Sequence, residues 1–417
     1  MARLRSADCV VLGAGMVGIA TAIHLINRGC LVILVDRKGP ALETSFGNAG
    51  LIQAEAVMPY AFPRDIKTIA SVLLGRSTEA RLDWPSLPRT AGWLFRYWRS
   101  GSAERVRKTA DALFPLVIRA LPEHCAILQA AGLSHLLHDG GYLRVFRDPA
   151  ALDRACRIAD TVKETYGIPF TACDPSELAR LEPHLSDGLA GAIRHETPRR
   201  VSDPGDTGAG YAAHFAVLGG TIATGDARTL ISTDKGWRVE TDEGPVAARH
   251  AVVALGPWSG ACLSAFGTRA PLGVKRGYHM HYTPRGNAVL NNLVVDEANG
   301  YVITPNRRGL RVTTGAEFAT MDAPRNPVQL TQVEPFARDL FPLGDRLEGE
   351  PWMGCRPCFP DLLPAIGPVH GSKNLWANFG HHHLGFTLGP VSGRLLAELI
   401  TGEQPFTDPA PYDPGRF

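Results

Sequence analysis

The chain has 417 residues, of which 45% are hydrophobic, with 43 Lys and Arg against 41 Asp and Glu. That length buries a substantial core in two or two interleaved domains, and a net charge of +2 is too balanced for nucleic-acid binding by phosphate neutralisation. No apolar run reaches the roughly 20 residues that span a bilayer, and the eight scattered cysteines with no cleavable leader read as a cytoplasmic protein.

Cys9 to Leu12 is an apolar strand that runs into Gly13-Ala14-Gly15-Met16-Val17-Gly18. A helix follows with Ile19, Ala20, Ile23 and Leu25 on its apolar positions, Arg28-Gly29 stops it, and a second strand from Leu31 to Val35 ends in Asp36 and Arg37. This is the βαβ unit that holds the ADP half of a dinucleotide. Gly13 permits the turn, Gly15 admits the pyrophosphate to the backbone and the helix end, and Gly18 lets helix and strand pack. Asp36 lies about 20 residues further on, where a carboxylate accepts from ribose hydroxyls.

Residues 55 to 150 read as largely helical, with aromatic and basic side chains mixed from Trp93 to Arg99. That cluster fits either a core helix with a solvated edge or a surface resting on an anionic membrane, within reach of a quinone. From about 201 the pattern changes to a helix over Gly208–Leu218 and strands near Thr221, Thr229–Ile231, Trp237–Glu240 and His250–Leu255. Alternating segments at Gly277–Tyr282 and Tyr301–Gly315 predict a second, mostly antiparallel sheet.

Further motifs are Glu43-Thr44-Ser45-Phe46-Gly47-Asn48-Ala49-Gly50-Leu51-Ile52, Gly354-Cys355-Arg356-Pro357 with Asp361, Pro364 and Ile366-Gly367, and Gly380-His381-His382-His383-Leu384-Gly385-Phe386-Thr387. In this order, over nearly the whole chain, they resemble the D-amino-acid oxidase superfamily of FAD enzymes, most closely the bacterial D-amino-acid dehydrogenases. The resemblance implies an α/β fold, in which a Rossmann-like FAD-binding domain (1–54, 201–272 and 351–417) is interleaved with a mostly antiparallel α+β substrate domain (55–200 and 273–350). It implies that Ser45, Asn48, Ala49, Gly50 and Leu51 lie against the flavin ring and that the backbone at Ala227 meets the adenine. Gly256 and Trp258 complete the FAD-binding sheet, and Gly380, Leu384, Gly385 and Thr387 face the flavin pyrimidine. Two departures stand out. His382 and His383 replace the usual small residues of the C-terminal turn, and residues 55–100 do not follow the alanine-oxidising members.

Arg356 is the candidate carboxylate ligand, because a planar guanidinium offers a fixed, bidentate charge and the resemblance gives the motif's arginine this role. Tyr278 and Tyr301 are candidates for a second hydrogen bond to the carboxylate or for enclosing the amine, with ordinary core packing as the alternative. Cys355 and Cys358 form a chance pair, or Cys355 links covalently to the flavin. Adjacent His381, His382 and His383 cannot converge on one ion, so no metal is expected; a neutral His383 beside the flavin or the amine is.

These readings converge on oxidation of a D-amino or cyclic imino acid by FAD, the flavin taking hydride from Cα and passing electrons to a quinone-type acceptor. An apolar enclosure suits a small or ring-shaped side chain such as D-proline or hydroxy-D-proline. The alternatives are a glycine- or sarcosine-type oxidase using oxygen and a non-catalytic FAD-binding subunit.

Overall fold

A computed structural model describes residues 4–417. Cys9, Val10, Val11 and Leu12 are all buried, as a continuous apolar run requires of a strand covered on both faces. Strand Arg5–Leu12 runs parallel to Val32–Asp36 on one side and Val246–Val253 on the other, with Thr221–Thr224 beyond Val32–Asp36. The outer edge of Val246–Val253 is shared. The antiparallel pair Gly236–Val239 and Ile231–Thr233 lies along its start, and Leu375–Phe379 runs parallel to its end. Leu12, Asp36 and Val253 thus finish at one edge, where ligands of open parallel sheets bind.

Helices Met16–Ile26, Ala103–Ala130 and Gly385–Thr401 cover one face, burying Ile19, Ile23, Leu113, Val117, Leu388 and Val391 together. The other face packs Val10, Leu12, Trp237, Val253 and Phe379. Among the described residues no helix is long and apolar enough to cross a membrane.

The second sheet centres on strand Gly273–Pro284, which pairs antiparallel with Trp352–Cys358, Gly309–Thr313 and Ala316–Phe318. Tyr301–Asn306, Leu293–Asp296, Tyr142–Phe146 and Gly191–His195 extend it. Two segments depart from the sequence-based division. Trp352–Cys358 joins this second sheet through seven paired positions with Gly273–His279. Helix Ala103–Ala130 buries its apolar stripe in the core of the first. Both partnerships are set by long-range packing that local periodicity does not encode.

Helix Leu87–Ser100 splits its aromatic cluster between two environments. Tyr97 is buried and Trp93 donates its indole N–H to the Cys358 carbonyl at 3.0 Å, while Phe95 and Trp98 are exposed and stack on each other.

Candidate active site

A cavity of about 860 Å³ extends from the glycine turn, between the two sheets, to the face formed by Gly273–Pro284 and Trp352–Cys358. At its first end Gly13 holds φ +104°, and a Cβ there would meet the Ala254 carbonyl oxygen at 2.5 Å, so only glycine fits. Gly15 lines the cavity, and Gly18 packs behind it against the Gly13 carbonyl. The Asp36 carboxylate accepts from the backbone N–H groups of Ala14 (2.8 Å), Lys38 (2.8 Å) and Gly39 (3.1 Å), so it holds the turn as well as lining the cavity. Arg37 lies over the Trp258 ring at 4.3 Å, with Ala227 and Gly256 on the same wall.

In the middle, Ser45 accepts from the Met16 N–H at 2.9 Å, tying this loop to the helix end. Asn48, Ala49 and Leu51 line the cavity. The carbonyl of Asn48 is held by the buried Arg311 guanidinium, and its side chain accepts from Gly50 N–H at 2.8 Å. Gly50, Leu384 and Thr387 lie behind the lining. Thr387 donates to the Leu51 carbonyl at 3.2 Å and accepts from Gln53 N–H at 3.1 Å, clasping the loop from the helix that begins at Gly385.

At the far end, strand alternation puts Lys275, Gly277 and His279 on one face, and antiparallel register sets them opposite Arg356, Gly354 and Trp352. Arg356 donates to the carbonyls of Gly315 (2.9 Å) and Thr314 (3.4 Å). Its guanidinium lies flat on Gly277, where a Cβ would stand 2.4 Å from Nη2. Burial lowers its pKa, and no acidic side chain among the described residues compensates it.

The histidine run resolves into a hydrogen-bonded chain. His382 Nε2 is 2.7 Å from the Leu362 carbonyl, which only accepts, so Nε2 carries the proton. His382 Nδ1 therefore accepts from His383 Nδ1 at 3.0 Å, which leaves His383 Nε2 as a lone pair without a partner. Burial, reinforced by His382, Arg356 and Lys275, holds the His383 pKa well below its ordinary value, so this ring stays neutral. His382 adopts φ +44°, a left-handed conformation unusual for a histidine and held by these bonds. Among the described residues no group of three or more His, Cys, Asp or Glu side chains is arranged to hold a metal ion, and Gly380 and Gly385 line the cavity beside the three histidines.

Three further candidates are placed as follows. Tyr278 lines the cavity, but its hydroxyl donates to Glu317 at 2.9 Å and accepts from Asn326 N–H at 2.9 Å, so its proton is held by an internal partner. Tyr301 is buried beside Asp296 and Arg147 and does not line the cavity. Cys355 points to the opposite face of its strand from Arg356 and likewise does not line it, which removes it from reach of a cofactor there. Cys355 and Cys358 are both free thiols.

Lys275, Tyr97 and Tyr60 complete the chamber, Tyr97 coming from the aromatic cluster of helix Leu87–Ser100. Lys275 Nζ donates to the Tyr97 hydroxyl at 2.7 Å and lies 4.0 Å from the centre of that ring. Tyr97 in turn donates to the Tyr60 carbonyl, and the Tyr60 ring meets His383 edge-on. The alternation Lys275-x-Gly277-x-His279 is the signal that marks Lys275, once Gly277 is placed under Arg356.

The cavity suits FAD: one long groove joins a glycine turn at a helix N-terminus to an enclosed chamber, and Gly15 leaves the space beside Ser45 open. Residues 8–399 match the family model of FAD dependent oxidoreductases of the DAO type. The chain belongs to this family. It is an FAD-dependent oxidoreductase. A D-amino-acid oxidase of Bradyrhizobium diazoefficiens is 30% identical over 415 residues, 98% of each chain. A D-amino acid dehydrogenase of Methylobacterium nodulans is 31% identical over 413 residues, covering 95% of this chain and 96% of the relative. The crystal structure of glycine oxidase from Geobacillus kaustophilus superposes with a TM-score of 0.77 at 21% identity over 99% of each chain, a likeness of fold.

Proposed function

We propose that this flavoenzyme oxidises a D-amino or cyclic imino acid to the corresponding imine and passes the electrons to a quinone-type acceptor. The observation that carries the reading is Arg356: a guanidinium fixed by two carbonyls, unpaired with any acid among the described residues, facing the chamber in which the cofactor groove ends. The names of the relatives, D-amino-acid oxidase and D-amino acid dehydrogenase, agree with it.

In this reading Gly13, Gly15, Asp36, Arg37 and Trp258 hold the ADP half of FAD, and Ser45 to Leu51 with Gly380 and Gly385 enclose its ring. FAD, when bound, supplies the acceptor for the two electrons and the hydrogen leaving Cα. Arg356 binds the substrate carboxylate by a bidentate pair and so fixes which face of Cα is presented. His383 stays neutral and offers its Nε2 lone pair to an amine N–H. Arg356 and Lys275 disfavour a bound ammonium, so the substrate reacts as the free amine.

The acceptor assignment rests on the cap around the mouth. Residues 60 to 110 carry ten Lys and Arg against four Asp and Glu, in a chain whose overall charge is +2. Ile66, Leu73, Leu74, Phe95 and Trp98 are exposed in the same segment, while Ile69, Val72 and Leu94 line the cavity. Such a surface fits an anionic bilayer from which a quinone reaches the groove. Phe318 and Leu82 give one wall of the chamber an apolar surface on which the ring of D-proline or hydroxy-D-proline would pack, with the Lys275 ammonium at its edge.

Anaerobic mixing of the yellow holoenzyme with a panel of D- and L-amino acids tests the reading. Bleaching of the flavin by D- or imino-acid members is expected. A flavin left oxidised by every member refutes it, and steady peroxide formation in air would replace the quinone with oxygen.

A further inference from the structure

Arg356 is not the only unpaired cation of the chamber. Lys275 stands directly opposite it in the antiparallel register and is only 9% exposed, yet it has no carboxylate partner among the described residues. Its single protein bond is to the Tyr97 hydroxyl, which leaves two of the three ammonium N–H donors free. The two side chains start from adjacent positions and diverge. Arg356 is drawn over Gly277 toward the Thr314 and Gly315 carbonyls, while Lys275 leans toward the rings of Tyr97 and Phe318. Of the acids that line the cavity, Asp36 is engaged in the glycine turn, Glu43 with Lys38, Asp226 with Arg228, Asp296 with Arg147 and Glu297 with Arg144, while Glu79 bonds to neither Lys275 nor Arg356 and burial, with Glu297 nearby, raises its pKa toward the neutral form.

Two buried positive charges at one end of a cavity cost free energy unless anions neutralise them. Burial, with a further contribution from Arg356, lowers the Lys275 pKa to about 8. A zwitterionic substrate with a neutral side chain brings one carboxylate. Because the two heads diverge, a second anionic group a few carbons away would reach Lys275 while the first stays on Arg356.

We infer that the substrate carries a second carboxylate, the α-carboxylate binding Arg356 and an acidic side chain binding Lys275 and the Tyr97 hydroxyl. This rests on the amino-acid-oxidising reading of the same chamber and names its substrate class. The neighbouring His382 and His383 are neutral, so they neither duplicate nor cancel the charge of Lys275.

The test uses the holoenzyme and ligands that lack an amine and are not oxidised. Kd values are measured from perturbation of the flavin spectrum for malonate, succinate, glutarate and adipate, each against the monocarboxylate of the same carbon number. At least one dicarboxylate is expected to bind roughly 10- to 100-fold more tightly than its monocarboxylate, the range of a hydrogen-bonded charge. Lys275→Met should remove that preference, bringing the dicarboxylate and monocarboxylate Kd values together. Wild-type D-glutamate or D-aspartate should also bleach the flavin at least about tenfold faster at low concentration than the matching amide. Dicarboxylate preferences near one in wild type overturn the inference even if Lys275→Met fails to fold, and so does a preference that survives in Lys275→Met. Monocarboxylate binding and bleaching by other amino acids would then leave the broader reading standing. No binding and no bleaching by any member would refute that reading itself.

Discussion

Replacing Arg356 probes the substrate site at the point where its geometry is most constrained. In the native chain the guanidinium is oriented by the Gly315 and Thr314 carbonyls and by the flat surface of Gly277, with its remaining N–H groups free for a ligand. Arg356→Ala removes the charge that the substrate carboxylate meets in an enclosed chamber. Truncating one partner of a buried charge pair costs about 2 to 5 kcal/mol, which corresponds to a fall in kcat/KM of roughly 30-fold to several thousand-fold. Arg356→Lys keeps a positive charge but loses the fork that sets the angle of Cα, so it should recover part of the affinity and discriminate less between enantiomers. Anaerobic stopped-flow bleaching, read as a function of substrate concentration, separates a binding defect from a slower reduction step. Both variants should retain FAD, because this side chain hydrogen-bonds to the Gly315 and Thr314 carbonyls and to none of the residues assigned to the cofactor. Wild-type bleaching kinetics in Arg356→Ala would refute the assignment.

Gly277→Ala places a methyl group 2.4 Å from Arg356 Nη2 and should displace the guanidinium, raising KM at least about tenfold with FAD content unchanged; an unaltered KM would show that the guanidinium does not need this surface. Burial pushes the Glu55 carboxyl up from 4.5 to about 7, so the folded state holds a proton that the unfolded chain loses first. Its contribution to stability is full below about pH 4.5 and is lost as pH rises through about 7, amounting to no more than about 3 kcal/mol. Glu55→Gln should therefore raise the melting temperature relative to wild type more at pH 8.5 than at pH 5.5, and a difference independent of pH would contradict this. Co-sedimentation with anionic vesicles at low salt, lost at high salt and weakened in a Phe95→Ser, Trp98→Ser double variant, is expected of the basic cap; equal recovery with neutral vesicles would remove the membrane surface.

The cofactor end of the groove is legible in sequence because its determinants are local. Gly13 needs a left-handed turn, Gly15 an open approach and Asp36 a carboxylate at the end of the second strand, all within one βαβ unit. Arg356 is legible for a similar reason, lying inside the short motif Gly354-Cys355-Arg356-Pro357. Thr387 and Gly50 belong to the same motifs, but whether they face the cavity or brace the loop that does depends on how the Gly385–Thr401 helix meets Leu51 and Gln53. A strand tyrosine reads alike whether its hydroxyl faces a ligand or an internal partner: Tyr301 lies off the cavity, and Tyr278 lines it with its hydroxyl bonded to Glu317, 39 positions away.

By itself, the sequence determined the family, the glycine turn and the chemistry available at Arg356, because short-range steric and charge requirements admit few residue types at those positions. Only the tertiary structure decided that Lys275 is a buried, unpaired cation opposite Arg356. That outcome depends on the register of two strands far apart in the chain and on Tyr97 arriving from a helix 178 positions away. It also decided which nitrogen of His383 keeps a lone pair, since the Leu362 carbonyl fixes the proton on His382 and the imidazoles pass that constraint along. Local sequence specifies which groups can carry charge or protons, whereas burial and hydrogen-bond partners, both products of long-range packing, set the states those groups adopt.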